Sequence, residues 1–221
     1  MDERICYFFS FLIEGLVFWN YVSILFVPKY STKIRFVCLS SGFFILFLSS
    51  LHNVFLLNCI LYTTVCFLYL IFLYKTSWYY ALFHSLLFEV LTGACELPVY
   101  SFLSTFLTSA SLRAADFHLK LLFAVMSKTL FFAVMSVLLL WLKKRQKPFL
   151  QYDKSVFFTI LIPFIAQIIV LILIAVCDST AMTAAQNRLI TTSAFFLLIV
   201  NLLIFGLNQY NQKKHLEFTE M

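Results

Sequence analysis

Charged residues are scarce in this sequence, in which Asp, Glu, Lys and Arg make up only 12% of the 221 residues. A soluble domain carries about 25%. Hydrophobic residues make up 62%, including 28 Phe, so too few polar side chains remain to cover a surface that faces water. The small numbers of Gly and Pro, four of each, exclude collagen-like and low-complexity chains. The composition predicts an all-α fold, a polytopic bundle of transmembrane helices.

Motifs for nucleotide binding and metal-dependent catalysis are also missing. The sequence has no GxxxxGK[ST] loop, no GxGxxG and no HExxH. Its six cysteines form no CxxC pair and lack the spacing of metal ligands. We therefore expect no metal, no cofactor and no catalytic residue in this chain. Nucleic acid is not an expected partner, because the cations occur in short clusters between apolar runs, a pattern typical of membrane proteins.

Apolar runs long enough to cross a bilayer are the main feature of the sequence. A spanning helix needs about 20 residues at a rise of about 1.5 Å each. Seven such runs occur, at approximately 5–27, 36–51, 54–74, 79–107, 119–142, 155–177 and 189–210. Only His52 and Asn53 interrupt the apolar stretch between the second and third runs. The fourth run is long and contains Pro98, so we expect this span to bend or to end in a short interfacial turn.

Lys and Arg are distributed unequally between the loops on the two sides of these seven spans. One side receives eleven of them: Lys29, Lys33, Arg35, Lys75, Lys143, Lys144, Arg145, Lys147, Lys154, Lys213 and Lys214. The other side receives four: Arg4, Arg113, Lys120 and Arg188. Cytoplasmic loops are enriched in Lys and Arg. The sequence therefore predicts an extracellular N-terminus and a cytoplasmic C-terminus.

A small set of polar residues lies inside the predicted spans: Glu14, Glu89, Glu96, Lys128, Gln167 and Asn201. Glu14 and Lys128 both lie nine residues from the outer ends of their spans, and Glu89 and Glu96 are seven residues apart on one helix face. Ionisable residues inside spans usually face the bundle interior. The set could form one polar pocket that opens outward. A ligand-sensing pocket, a transport pathway, and a structural pairing of Lys128 with Glu96 or Glu89 all remain open.

Several segments of the chain carry a resemblance to a known family. They are 26–29 with 31–35, 73–77, 95–97, 160–169, and 201–210 with 212–214. In their order they resemble the N-terminal membrane sensor of GHKL-type receptor histidine kinases, the class that includes the accessory-gene-regulator quorum-sensing receptors. The resemblance implies a receptor in the bacterial cytoplasmic membrane that detects an extracellular signal, often a peptide, and belongs to a two-component system.

Under this resemblance, residues 1–210 form a sensor-like bundle and residues 211–221 begin a cytoplasmic linker helix. Tyr210, Lys213 and Lys214 would transmit the signal toward a kinase module, and the receptor would be a homodimer. The family's phosphoacceptor segment and ATP-binding boxes do not occur in these 221 residues. The chain would therefore be a sensor histidine kinase only if the protein continues past Met221.

Two other classes of function remain open. The alternative to a sensor is a small integral membrane component of a transporter, such as the substrate-binding subunit of an importer. Its partner would be a small molecule rather than a peptide signal. A membrane peptidase is disfavoured, because paired Asp residues or a close Cys and His do not occur within the spans. In each case the lipid bilayer is the surrounding partner.

Overall fold

A computed structural model describes residues 2–52, 54–106 and 117–144, with six single positions between 165 and 199. Within the continuous ranges the regular elements are five helices. They are α1 (Asp2–Leu25), α2 (Thr32–Ser50), α3 (Phe55–Leu73), α4 (Trp78–Phe106) and α5 (Phe117–Lys144). These helices confirm the all-α prediction for this part of the chain and coincide with the first five predicted spans. The predicted spans 155–177 and 189–210 and the linker 211–221 lie outside the continuously described residues.

The helices have the length and composition of membrane-spanning segments. Arg4–Leu25, Thr32–Ser50 and His118–Leu140 are long and apolar enough to cross a bilayer, and Leu57–Leu73 is a shorter apolar helix. Large apolar side chains cover the outside of the bundle, with Leu140 68% and Leu16 56% exposed. The outer face of a water-soluble helix would carry polar residues instead. These features indicate a helical membrane protein, and the total of seven spans stays a prediction.

The second and third spans are separate helices. α2 ends at Ser50, Leu51 and His52 form a turn, and α3 begins at Phe55. The two helices pack against each other, and the Ser49 hydroxyl donates a hydrogen bond to Asn58 Oδ1 across the turn at 3.0 Å. The short polar break at 52–53 is therefore sufficient to reverse the chain.

Pro98 does not end the fourth span. α4 continues past Pro98 to Phe106, and the expected bend or interfacial turn of this span stays a prediction. A proline removes one backbone N–H from the helix, and in an apolar environment the other backbone groups have no partner better than the helix itself. Val99, the next residue, is 5% exposed, which shows that the helix is packed at this point.

The five helices form a ring. α1 packs against α2 and α5, α2 packs against α3, α3 against α4, and α4 against α5. Aromatic rings fill the centre, around the fully buried Phe88. The ring of Phe88 lies 4.9 Å from Phe18 of α1 and 5.2 Å from Phe131 of α5, and it stacks on Tyr62 of α3 at 6.2 Å. We call these four residues the aromatic core, and they join α1, α3, α4 and α5.

Two loops are joined at one end of the ring. The α1–α2 loop and the α3–α4 loop form an antiparallel bridge between Pro28 and Tyr74. The N–H of Lys29 donates to the Leu73 carbonyl at 2.8 Å, and the N–H of Lys75 donates to the Val27 carbonyl at 2.9 Å. We call this the paired-loop end. The pairing shows that the first four helices alternate in direction.

Candidate functional site

Lys128 holds two carboxylates from two other helices. Its Nζ lies 2.5 Å from Glu14 Oε1 of α1 and 2.6 Å from Glu96 Oε1 of α4. Three helices, the first and two later consecutive ones, therefore meet at one ammonium group. We call Glu14, Lys128 and Glu96 the charged cluster. Of the two partners that the sequence left open for Lys128, the structure selects Glu96 and adds Glu14.

The three members of the charged cluster differ in exposure. Glu14 and Lys128 are 4% and 5% exposed, whereas the side chain of Glu96 is 41% exposed. A buried charge is stable only when an opposite charge or hydrogen bonds compensate it. Glu14 and Lys128 compensate each other inside the bundle, and Glu96 adds a second negative charge at the accessible side. In its ionised form the cluster carries a formal charge of −1.

The charged cluster lies next to the aromatic core, on the side away from the paired-loop end. On α1, Glu14 precedes Phe18 by four residues, and on α5, Lys128 precedes Phe131 by three. α4 runs in the opposite direction, and there Glu96 follows Phe88. One helical turn rises about 5.4 Å. The cluster is therefore about one turn above the core on α1 and α5.

Glu89 makes a different contact from the one that its position beside Glu96 suggested. The Thr63 hydroxyl of α3 donates a hydrogen bond to the Glu89 carboxylate. Glu89 is thus bonded across the α3–α4 contact, while Glu96 is bonded across the α4–α5 contact. The seven-residue spacing placed both carboxylates on one broad face, but the neighbouring helices separate their partners.

A second polar contact lies on the other side of the aromatic core. The Tyr21 hydroxyl and His84 Nδ1 are 2.5 Å apart, and both residues are at most 1% exposed. The ring of His84 also packs edge-on against Phe26 at 5.0 Å. Sequence reasoning could not find this pair, because 63 residues separate its members and neither belongs to a motif.

Arg35 is a further residue whose environment the sequence did not reveal. It was counted among the loop cations, yet it is only 8% exposed. Its guanidinium lies over the Trp19 ring at 5.1 Å and over the Tyr74 ring at 5.5 Å, and its Nη1 donates to the Tyr74 hydroxyl at 3.0 Å. Arg35 therefore links α2 to Trp19 of α1 and to Tyr74 of the α3–α4 loop through cation–π contacts.

A groove between α1 and α5 has a volume of about 290 Å³. Its lining is apolar except for two residues, and it consists of Ile13, Leu16, Val17, Asn20, Phe132, Met135, Ser136 and Leu139. Of the polar residues singled out in the spans, the four that the structure describes, Glu14, Glu89, Glu96 and Lys128, do not line it. The groove offers a ligand little beyond apolar contact, and the charged cluster is the stronger candidate site.

The structure thus brings together three of the six polar residues, Glu14, Glu96 and Lys128, and bonds Glu89 elsewhere. The remaining predicted residues, Gln167, Asn201, Tyr210, Lys213 and Lys214, lie outside the described residues. Among the residues that the structure describes, no group of three His, Cys, Asp or Glu side chains could hold a metal ion. The chain matches no protein-family model, no curated protein and no solved structure.

Proposed function

We propose that this chain is the membrane-embedded sensing domain of a signalling receptor, and that an extracellular signal acts at the charged cluster. One observation carries the proposal: the single Lys128 ammonium joins a buried carboxylate on α1 to an accessible carboxylate on α4. A ligand group that competes for Glu96 changes the contact between α4 and α5 and leaves the buried pair intact. A ligand can shift an equilibrium between two arrangements only if it binds them differently.

The unequal numbers of charges favour a sensing role over a purely structural one. A structural ion pair needs one carboxylate for one ammonium, and Glu14 already supplies it at 2.5 Å. Glu96, with 41% of its side chain exposed, is less enclosed than Glu14 and is not needed to neutralise Lys128. What Glu96 adds is a second arrangement: Lys128 binds both carboxylates in one state and only Glu14 in the other. Such a pair of states is what a switch requires.

The orientation and the remaining spans belong to the same proposal. We infer seven spans with the N-terminus outside and the C-terminus in the cytoplasm. Lys29, Lys33 and Lys75 are exposed at the paired-loop end, which supports a cytoplasmic position for that end. The charged cluster then lies in the outer half of the membrane, within reach of an extracellular signal.

The resemblance to GHKL-type receptors supports the final step of the proposal. The signal leaves through the last span and passes Tyr210, Lys213 and Lys214 on its way to a cytoplasmic histidine kinase module, in a homodimer. The bundle itself performs no catalysis in this scheme. Its output is a change in the position of one helix relative to another.

Substitutions in the charged cluster test the proposal in the native host. We expect Glu96→Gln and Lys128→Met to lower the transcriptional response to the host's own conditioned medium about tenfold, because coupling energies of 1–3 kcal/mol correspond to about 5- to 150-fold. Glu89→Gln is the matched control, since it removes a carboxylate from the same helix without touching Lys128. The response is measured by RNA sequencing at equal membrane levels of each variant.

Two results would contradict this function. If Glu96→Gln and Lys128→Met respond to conditioned medium as the wild type does, the cluster is not the sensing site. If the purified protein binds a vitamin tightly in a thermal-shift screen and the host shows no response to medium, the chain is an importer subunit instead.

A further inference from the structure

The two loop segments of the paired-loop end carry cations and no carboxylate. Residues 26–35 and 73–80 contain Lys29, Lys33, Arg35 and Lys75 but neither Asp nor Glu. The three lysines are exposed, and Arg35 is buried beneath them. Elsewhere in the bundle, at the charged cluster, cation and carboxylate occur together. The positive charge of these segments can therefore be neutralised only by an anionic group outside them.

Backbone pairing fixes the positions of these cations. The bridge between Pro28 and Tyr74 places Lys29 and Lys75 on adjacent segments, although 46 residues separate them in sequence. Lys29 Nζ donates to the Ile71 carbonyl at 2.7 Å, which holds the ammonium at the C-terminal end of α3. The Tyr74 side chain is fully buried, whereas Lys75 is exposed, as expected for neighbours in an extended segment. The surface is preorganised, unlike an ordinary flexible loop.

Arg35 adds positive charge from below this surface. Its Nη1 bonds the hydroxyl of Tyr74, the residue that precedes Lys75, and its Nη2 bonds the Thr32 hydroxyl at 3.2 Å. Both partners are neutral, and the Trp19 and Tyr74 rings stabilise the guanidinium without cancelling its net positive charge. Because the group is mostly withdrawn from water, its field at the surface is screened less than that of an exposed lysine.

Exposed rings and apolar side chains adjoin the cations. Tyr30 is 51% exposed and Trp78 is 56% exposed, and on the first turns of α2 Ile34 and Phe36 are 48% and 54% exposed. Tyr and Trp are enriched at the headgroup level of membranes. A partner that fits this surface has an anionic head and an apolar body. A phospholipid has both, and it is the partner that surrounds a bundle of membrane-spanning helices.

We propose that the paired-loop end binds an anionic phospholipid, with its headgroup phosphate on Lys29, Lys33 and Lys75 and its acyl chains along Ile34 and Phe36. The site is distinct from the charged cluster, and it holds whether or not the chain is a sensor. It requires only that the bundle lies in a membrane. Its role is to fix the α1–α2 and α3–α4 loops against one leaflet.

The test measures which lipids the full chain retains. The protein is reconstituted in nanodiscs of equal parts phosphatidylglycerol and phosphatidylcholine, released, and examined by native mass spectrometry. We expect the wild type to retain phosphatidylglycerol selectively. Each lysine near anionic lipid raises the affinity for that lipid by a factor of about five. The double variant Lys29→Gln/Lys75→Gln is therefore expected to lower the selectivity for phosphatidylglycerol about 25-fold. Arg4→Gln/Lys120→Gln, which removes two cations from the other end, is the matched control and is expected to retain it.

The remaining outcomes also decide the proposal. Lys75→Gln alone removes an exposed side chain and is expected to lower the selectivity for phosphatidylglycerol about fivefold. This single variant replaces the double variant in the test if the latter does not fold. Lys29→Arg/Lys75→Arg keeps the charge and is expected to retain the lipid. Equal retention of the two lipids by the wild type would overturn the proposal. So would a loss of selectivity in Arg4→Gln/Lys120→Gln as large as the loss in Lys29→Gln/Lys75→Gln. Displacement of the lipid by inorganic phosphate at matched ionic strength would also overturn it, and would indicate a soluble anion instead.

Discussion

Glu14 and Glu96 have different roles at the same ammonium. Glu14 shares with Lys128 an interior position that excludes water, so each group depends on the other for compensation. Glu96 reaches Lys128 from a less enclosed position, with 41% of its side chain exposed. The pair of Glu14 and Lys128 therefore stabilises the bundle, and we propose that Glu96 exchanges partners.

Stability measurements should separate these two roles. Lys128→Met leaves Glu14 buried without its cation and is expected to destabilise the protein by about 3–5 kcal/mol. Glu96→Gln keeps the Glu14–Lys128 pair and is expected to destabilise the protein much less than Lys128→Met does. Unfolding by a denaturing detergent, followed by circular dichroism, measures both. Glu14→Gln combined with Lys128→Met should recover part of the loss, because the double variant buries no charge.

Equal destabilisation by Lys128→Met and Glu96→Gln would contradict this division. So would a double variant that is no more stable than Lys128→Met alone. In either case the three groups would form a single structural unit, and Glu96 could not exchange partners independently.

The depth of the charged residues could be read from the sequence, but their partners could not. Glu14 and Lys128 lie equally far from the ends of their predicted spans, which placed them at one level. Whether Glu89 or Glu96 pairs with Lys128 depends on which helices are neighbours, since the Thr63 hydroxyl of α3 donates a hydrogen bond to Glu89. The ring order that brings α1, α4 and α5 together is a tertiary property that helix periodicity does not contain.

The helices were predictable as elements because each is set by an apolar run. The largest difference is at α2, which begins at Thr32, whereas its apolar run begins at 36. The charged residues Lys33 and Arg35 interrupt the apolar pattern, so the sequence predicts a loop where the first turn of α2 lies. Cation–π contacts with the Trp19 and Tyr74 rings stabilise the buried Arg35 guanidinium, so the helix extends back through it. The pairing of the two loops was not predictable, because two segments of three or four residues carry no strand signal.

The connections between helices permit a direct test of orientation. In a chain with its native cysteines replaced by alanine, Tyr30→Cys probes the paired-loop end and His52→Cys probes the turn between α2 and α3. Both positions are exposed. We expect His52→Cys to react with a membrane-impermeant maleimide in intact cells, and Tyr30→Cys to react only after lysis.

The reverse pattern would place the paired-loop end outside and would contradict the proposed topology. Labelling of both positions from the same side would contradict the alternation of α1, α2 and α3 across the membrane. A chain that keeps Cys66 as its single cysteine is not expected to be labelled in either case, because this residue is fully buried, and it serves as a control for unfolded protein.

At the scale of the whole molecule, the helix ring couples the charged cluster to the rest of the bundle. α1, α4 and α5 each contribute one residue to the charged cluster and one ring to the aromatic core, Phe18, Phe88 and Phe131. A shift of α4 relative to α5 at Glu96 must therefore either be absorbed within two turns or move the packed rings. Close-packed interiors transmit such strain rather than absorb it. This arrangement gives the proposed sensor a mechanical connection toward the paired-loop end.

The distance between α4 and α5 tests the proposed sensing mechanism most directly. Spin labels at Phe102 of α4 and Leu122 of α5, both exposed, report this distance by pulsed electron paramagnetic resonance in nanodiscs. We predict that the host's conditioned medium shifts the distance distribution of the wild type and of Glu89→Gln, relative to fresh medium, and leaves Glu96→Gln unchanged. An unchanged distribution in the wild type, or an equal shift in Glu96→Gln, would contradict a signal that acts by releasing Glu96 from Lys128.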